Sequence, residues 1–149
     1  MGMYRRILLV VDLGDQSEQV GARARDLAAL MGAELSLLHV VEYVPVEPLS
    51  DSLMPAVQIE SELIERAKRR LDELVVRVDS GDAPRRVEAG NVKSEIVRVA
   101  RERRADLIVI GSRERHGLSI LVNLTEDTVL HAAPCDVLAV RLAQTKPST

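Results

Sequence analysis

Two uninterrupted aliphatic blocks, Ile7-Leu8-Leu9-Val10-Val11 and Leu107-Ile108-Val109-Ile110, set the strongest limit on how this chain folds. A strand that is apolar at every position, rather than at alternate ones, must be covered on both faces. That is the situation of an interior strand in a parallel sheet with helices above and below it. Leu35 to Val41 and Val137 to Val140 read as strands of similar kind. Between these blocks the apolar spacing turns helical. Val20, Ala24, Leu27, Ala28 and Met31 mark one helix, with Ser17 as its expected N-cap and Gly32 as its stop. Leu63, Ala67, Leu71, Leu74 and Val75 mark a second helix, closed by Ser80-Gly81. A third uses Ile96, Val99 and Ala100, with Arg101, Arg103 and Arg104 at the end where cations suit the helix dipole. A fourth, shorter one fits Glu126 to Ala132 and is ended by Pro134.

The order β-α-β-α-β-α-β-α-β predicts an α/β fold on a five-stranded parallel sheet with helices on both faces. At 149 residues the chain fits one domain. We expect that domain to span residues 1–143, with 144–149 as a flexible tail. The stretch from Glu42 to Pro55 holds Pro45, Pro48 and Pro55 and reads as a long connection of the kind that borders sites.

Strand order follows from polarity. The first and fourth strands are the most apolar and belong in the middle. The third, Arg85-Arg86-Val87-Glu88, is short and charged, which suits an edge. Those assignments give the order 3-2-1-4-5 rather than 2-1-3-4-5. Ligands of such sheets bind outside the carboxyl ends of the strands where the order reverses. Here that point lies between strands one and four, so Asp12 and Gly111 face one crevice. Strand five, Asp136 to Arg141, is then an apolar edge, and pairing with a second copy of the chain is the economical cover.

Composition removes several function classes. Twenty basic and twenty-three acidic residues give a net charge of −3, without the basic excess of a nucleic-acid binder. With only Tyr4 and Tyr43, and neither Phe nor Trp, there is little on which bases can stack. The arginine-rich stretches are interleaved with Glu60, Glu62, Glu65, Asp72 and Glu102, as on solvated helix faces. No run approaches the roughly 20 apolar residues of a membrane span. The block after Arg5-Arg6 is shorter than a signal core of roughly 7–15 residues. The single cysteine, Cys135, rules out an intramolecular disulfide and fits a reducing cytoplasm.

The candidate chemistry is sparse. Gly111-Ser112-Arg113-Glu114-Arg115-His116-Gly117 follows the fourth strand, where backbone amides can cradle phosphate, yet neither G-x-x-x-x-G-K-[ST] nor G-x-G-x-x-G occurs. Two roles fit Asp12: holding a ribose hydroxyl or cation, or capping the loop it opens. Gly90-Asn91-Val92-Lys93-Ser94 is either an anion site or only a helix start. His39, His116 and His131 lack metal-ligand spacing, and His39 reads as a hydrogen-bonded core histidine. Cys135 has no resolving partner, and Ser112 lies in no G-x-S-x-G elbow, so nucleophilic or redox catalysis is not expected.

Three stretches resemble the universal stress protein family: Ile7 to Asp12; Leu35 to Val40 with its His39-Val40; and Asp106 to Ser112 continuing to His131-Ala132-Ala133-Pro134-Cys135-Asp136-Val137-Leu138-Ala139-Val140. The resemblance covers nearly the whole chain. It implies an adenine nucleotide α-hydrolase-like fold, a homodimer through the last strand (Val137, Leu138, Val140) and a role in surviving stress. ATP-binding members carry G-x-x-G, a spacer, then G-[ST]. Gly111 matches the first position, but Glu114 stands at the second. Counting the spacer forward lands on Leu124 and Thr125; aligning back from Cys135-Asp136 lands on Asn123 and Leu124. Both later glycines are missing either way, and only Thr125 preserves a hydroxyl. Asp12 matches the acidic residue that contacts the nucleoside, Val40 the position lining the adenine pocket, and Gly90 the glycine after strand three, although Val92 replaces the usual proline.

A side chain where glycine admits phosphate blocks the approach. A carboxylate within ~4–6 Å of phosphate oxygens repels them unless a metal or arginine intervenes, and Arg113 and Arg115 are the local cations. The expectation is a cytoplasmic homodimeric stress-response protein with no tightly bound cofactor, acting through protein partners, with neither nucleic acid nor membrane as a partner. Asp12, Val40, Gly90, Gly111, Arg113, Gly117 and Thr125 remain as a vestigial or weak nucleotide site. The alternative is a sensor that binds ATP or AMP with Mg.

Overall fold

The computed structural model describes residues 2–42, 53–112, 129 and 131–142, those at 53–58 by their backbone. The elements run β1 (Arg6–Val10), α1 (Ser17–Met31), β2 (Glu34–Val41), α2 (Leu53–Arg77), β3 (Arg85–Ala89), α3 (Val92–Glu102), β4 (Leu107–Ser112) and β5 (Asp136–Arg141). The strands form one sheet in the order β3-β2-β1-β4-β5, every neighbouring pair parallel, as expected. Of the expected fourth helix, Val129, His131 and Ala132 are described and helical; the rest, with residues 43–52, residue 143 and the expected 144–149 tail, lies outside the described residues.

The aliphatic blocks take the central places because only there are both faces of a strand covered. Ile7, Leu9 and Val11 point into a core shared with α1 and α2, through Val20, Ala24, Leu71, Val75 and Val78. Leu8 points the opposite way, into a second core with Leu38, Ile108, Ile96 and Val99 of α3, and Val129. The two cores lie on opposite faces of the sheet. Burying an aliphatic side chain of this size is worth about 1.5–3 kcal/mol, so a polar residue at any of these strand positions would be costly.

Strand β3 lies at the edge that its charge predicts. Arg86 pairs with Glu88 at 2.6 Å and with Glu102 of α3 at 2.7 Å, and Arg98 of α3 holds Glu102 at 2.7 Å and also Glu95. This lattice ties α3 to the edge strand and holds the Glu102 carboxyl below its ordinary range, through Arg86 first and Arg98 second.

One expectation needs correcting. Ser17 is the first residue of α1 rather than its cap, and Gln16 occupies the cap position without a side-chain capping bond to the helix. The Ser17 hydroxyl is drawn away by Asp12 Oδ1 at 3.2 Å. At the other end, Gly32 stops the helix as expected, with φ of 65°. Glycine meets the left-handed C-cap without the penalty a side chain would bring.

Candidate functional site

What is described beyond adjacent strands β1 and β4 packs on opposite faces of the sheet. α1 follows β1 onto one core, whereas Val129, beyond β4, belongs to the other. Sheets of this order take ligands outside the carboxyl ends of the two strands at such a switch point, and Asp12 and Gly111 stand there.

Asp12 opens the β1–α1 loop and is exposed. Its Oδ1 accepts the backbone N–H of Gly14 at 2.8 Å and the Ser17 hydroxyl at 3.2 Å. The carboxylate therefore caps its own loop, the second of the two roles open to it in the sequence. Leu13, next in the chain, is buried with φ of 60°, a left-handed conformation rare for a non-glycine residue. The carbonyls on either side of Asp12 are both held from elsewhere. His39 Nδ1 donates to Val11 O at 2.7 Å, and the Arg70 guanidinium of α2 donates to Leu13 O.

His39 is hydrogen-bonded as the sequence suggests, but it is half-buried at the end of β2 rather than within either core. Since Val11 offers only a carbonyl oxygen, the Nδ1 must carry the proton. Burial, the largest influence, pushes the pKa of the imidazole down. The Val11 bond and the charge of Asp12 act upward, and the charge of Arg70 acts downward again.

The other described family-pattern residues have structural duties. Gly90 has φ of 145°, which excludes other residues at low cost, and its N–H bonds Val41 O at 3.0 Å. Asn91 then caps α3, its Oδ1 accepting Ser94 N–H at 3.0 Å and the Ser94 hydroxyl at 3.1 Å. Of its two readings, this segment takes the helix start. Gly111 sits in regular β4 backbone, and a Cβ there would lie 3.0 Å from both Val20 Cγ2 and Leu142 Cδ1. The glycine is needed so that α1 and the end of β5 can close onto β4. Val40 is 8% exposed and packed in the α3-side core. Arg113, Gly117 and Thr125, with Glu114, Asn123 and Leu124, lie outside the described residues.

At the β5 edge, Leu138 is 38% exposed and Val137 is half-buried. Val140, the third residue expected at an interface, is 5% exposed and lies in the α1–α2 core instead. Cys135 is half-buried, and burial, followed by the charges of Asp106 and Asp136, pushes its thiol up, which keeps it protonated at neutral pH.

Comparison with known proteins agrees with this architecture. A model described as the Universal stress protein family matches residues 3–141. Universal stress protein A homolog 2 of Coxiella burnetii is 34% identical over 143 residues, spanning 95% of this chain and 98% of the relative. Among solved structures, the universal stress protein UspA from Lactobacillus plantarum superposes with a TM-score of 0.79 at 24% identity, over 95% of this chain and all of the other. A universal stress protein crystallised in complex with cAMP gives 0.66 at 23% identity, over 92% and 96%. At these identities the structural likeness shows the fold, the adenine nucleotide α-hydrolase-like arrangement. The match to the family over nearly its whole length supplies the rest: the chain belongs to the universal stress protein family.

Proposed function

We propose that the chain is a cytoplasmic, homodimeric regulatory member of its family, acting through protein partners and not by catalysis, whose crevice does not hold ATP tightly. One observation carries this reading. Each described residue that matches the nucleotide pattern is already committed to the chain's own structure. Asp12 Oδ1 serves the Gly14 amide and Ser17, Gly90 serves a backbone turn, Gly111 makes room for Val20 and Leu142, and Val40 fills a core. Their presence therefore does not require a ligand to explain it. The phosphate-loop positions, where a ligand alone would require glycine, carry Glu114 and either Asn123 or Leu124. By the family pattern, a carboxylate and bulk at those positions oppose the binding of phosphate.

The edges of the sheet support a dimer through β5. Charged pairs block the β3 edge, whereas β5 offers Leu138 on a strand with no outer neighbour among the described residues. Titration calorimetry with Mg·ATP tests the reading on the crevice: absence of heat agrees with it, and micromolar binding refutes it. A second reading, an adenine nucleoside monophosphate as ligand, is favoured by one structural neighbour that holds cAMP, since a monophosphate asks less of the missing loop. AMP in the same titration tests it, and an Asp12→Ala variant of unchanged affinity would remove its basis.

A further inference from the structure

We propose that His39 and Arg70 are positioning residues that form a two-point clamp on the β1–α1 loop, holding Leu13 in its left-handed conformation and thereby fixing the direction of Asp12 at the mouth of the crevice. The geometry is specific. The carbonyls of Val11 and Leu13 bracket Asp12, and each is taken by a side chain from a different element, His39 from β2 and Arg70 from α2. Asp12 turns to Gly14 and Ser17, at the start of α1. Leu13 is buried against the α1–α2 core. A residue in such a conformation persists only where its surroundings over-determine it, and three independent contacts do so here.

The two points differ in character. The imidazole donates from Nδ1 whether neutral or protonated, so that contact is maintained across pH. The charged groups acting on the imidazole are Asp12 from the loop and Arg70 from α2. Arg70 spans 57 positions of sequence to reach Leu13 O and makes α2 a participant in the geometry of the crevice. A hydrophobic residue of similar length at this position would pack against the same surface and donate nothing. The clamp acts in the unliganded protein, so it stands independently of which reading of the crevice holds.

Amide hydrogen exchange followed by NMR on the whole chain tests it. The reporters are the Gly14 amide, bonded to Asp12 Oδ1, and the Ser17 amide, bonded to Gly14 O; the references are Glu95 and Leu142. Arg70→Met is expected to speed exchange at Gly14 and Ser17 by roughly tenfold or more while the references stay put. Arg70→Lys, which keeps a cationic donor, restores most of the protection. Should Arg70→Met fail to fold, His39→Leu against His39→Asn reads the other point, since the asparagine amide keeps a donor near the Nδ1 position. In a Leu13→Gly background the strain is gone, and the effect of Arg70→Met shrinks. Unchanged exchange at Gly14, equal loss in the Lys and Met variants, or an equal rise at reporters and references would each overturn the proposal.

Discussion

Gly111→Ala separates a packing glycine from a phosphate-binding one, and its cost follows from the geometry. The added Cβ would stand 3.0 Å from Val20 Cγ2 and 3.0 Å from Leu142 Cδ1, closer than such contacts comfortably allow. Leu142, near the end of β5, can swing a methyl aside. Val20 cannot, because it is β-branched, helical and 3% exposed. Overpacking of this kind costs about 1–3 kcal/mol. Gly111 has no positive φ, so alanine meets no backbone penalty and recovers about 0.4–1 kcal/mol by restricting the unfolded chain. With Val20 unable to yield, the overpacking cost stays off the low end of its range; the midpoints of the two ranges leave a net loss of about 1.3 kcal/mol, which for a domain of this size lowers Tm by roughly 3–5 °C. Thermal unfolding without any ligand measures it. A double-mutant cycle adds specificity: Val20→Ala leaves a void by itself, but in the Gly111→Ala background it removes the clash, so the pair should couple by about 1 kcal/mol. An alanine variant as stable as the parent, or strictly additive costs, would refute the packing account of this glycine.

Asn91→Ala removes the side-chain cap of α3 and should cost about 1 kcal/mol in urea unfolding, with Asn91→Asp close to the parent. His39, its pKa lowered chiefly by burial, makes a pH prediction with a definite sign. As pH falls through about 6.5 the unfolded chain takes up the proton first, so Tm should decline from there until the folded imidazole is protonated too, and His39→Asn should flatten that decline. Equal slopes for both proteins between neutral and mildly acidic pH would contradict it. That window lies above the one in which Glu102, held low by Arg86 and Arg98, loses its contribution as its carboxylate protonates. Leu138→Asp should convert a dimer to monomers in sedimentation velocity without lowering the monomer's stability. Val140→Asp cannot serve for this, because Val140 is buried in the α1–α2 core.

The sheet was legible because its information is local and chemical. Runs such as Leu107 to Ile110 have no other stable place than a central strand, and the charges of Arg85, Arg86 and Glu88 direct β3 to the edge. The place where the strand order reverses, between β1 and β4, followed from the same charges and runs. The details of the site were less accessible. Ser17 has the chemistry of an N-cap, and nothing in its neighbourhood reveals that Asp12 captures its hydroxyl. A glycine at the end of β4 looks the same whether it admits phosphate or the methyls of Val20 and Leu142, since those neighbours are distant in sequence. Arg70 was invisible as a site residue among the many arginines of α2, and the left-handed Leu13 carries none of the residue types that announce such a backbone.

The most direct test of the central claim, a retained crevice without tight ATP binding, is calorimetric titration of the purified protein with Mg·ATP and then AMP, after an ultraviolet spectrum. With two tyrosines and no tryptophan, any adenine carried through purification would dominate that spectrum. The account predicts no adenine absorbance, no heat from Mg·ATP and no shift in melting temperature on its addition. Micromolar binding of Mg·ATP would contradict it, and would mean that Glu114 and its neighbours still close around a triphosphate.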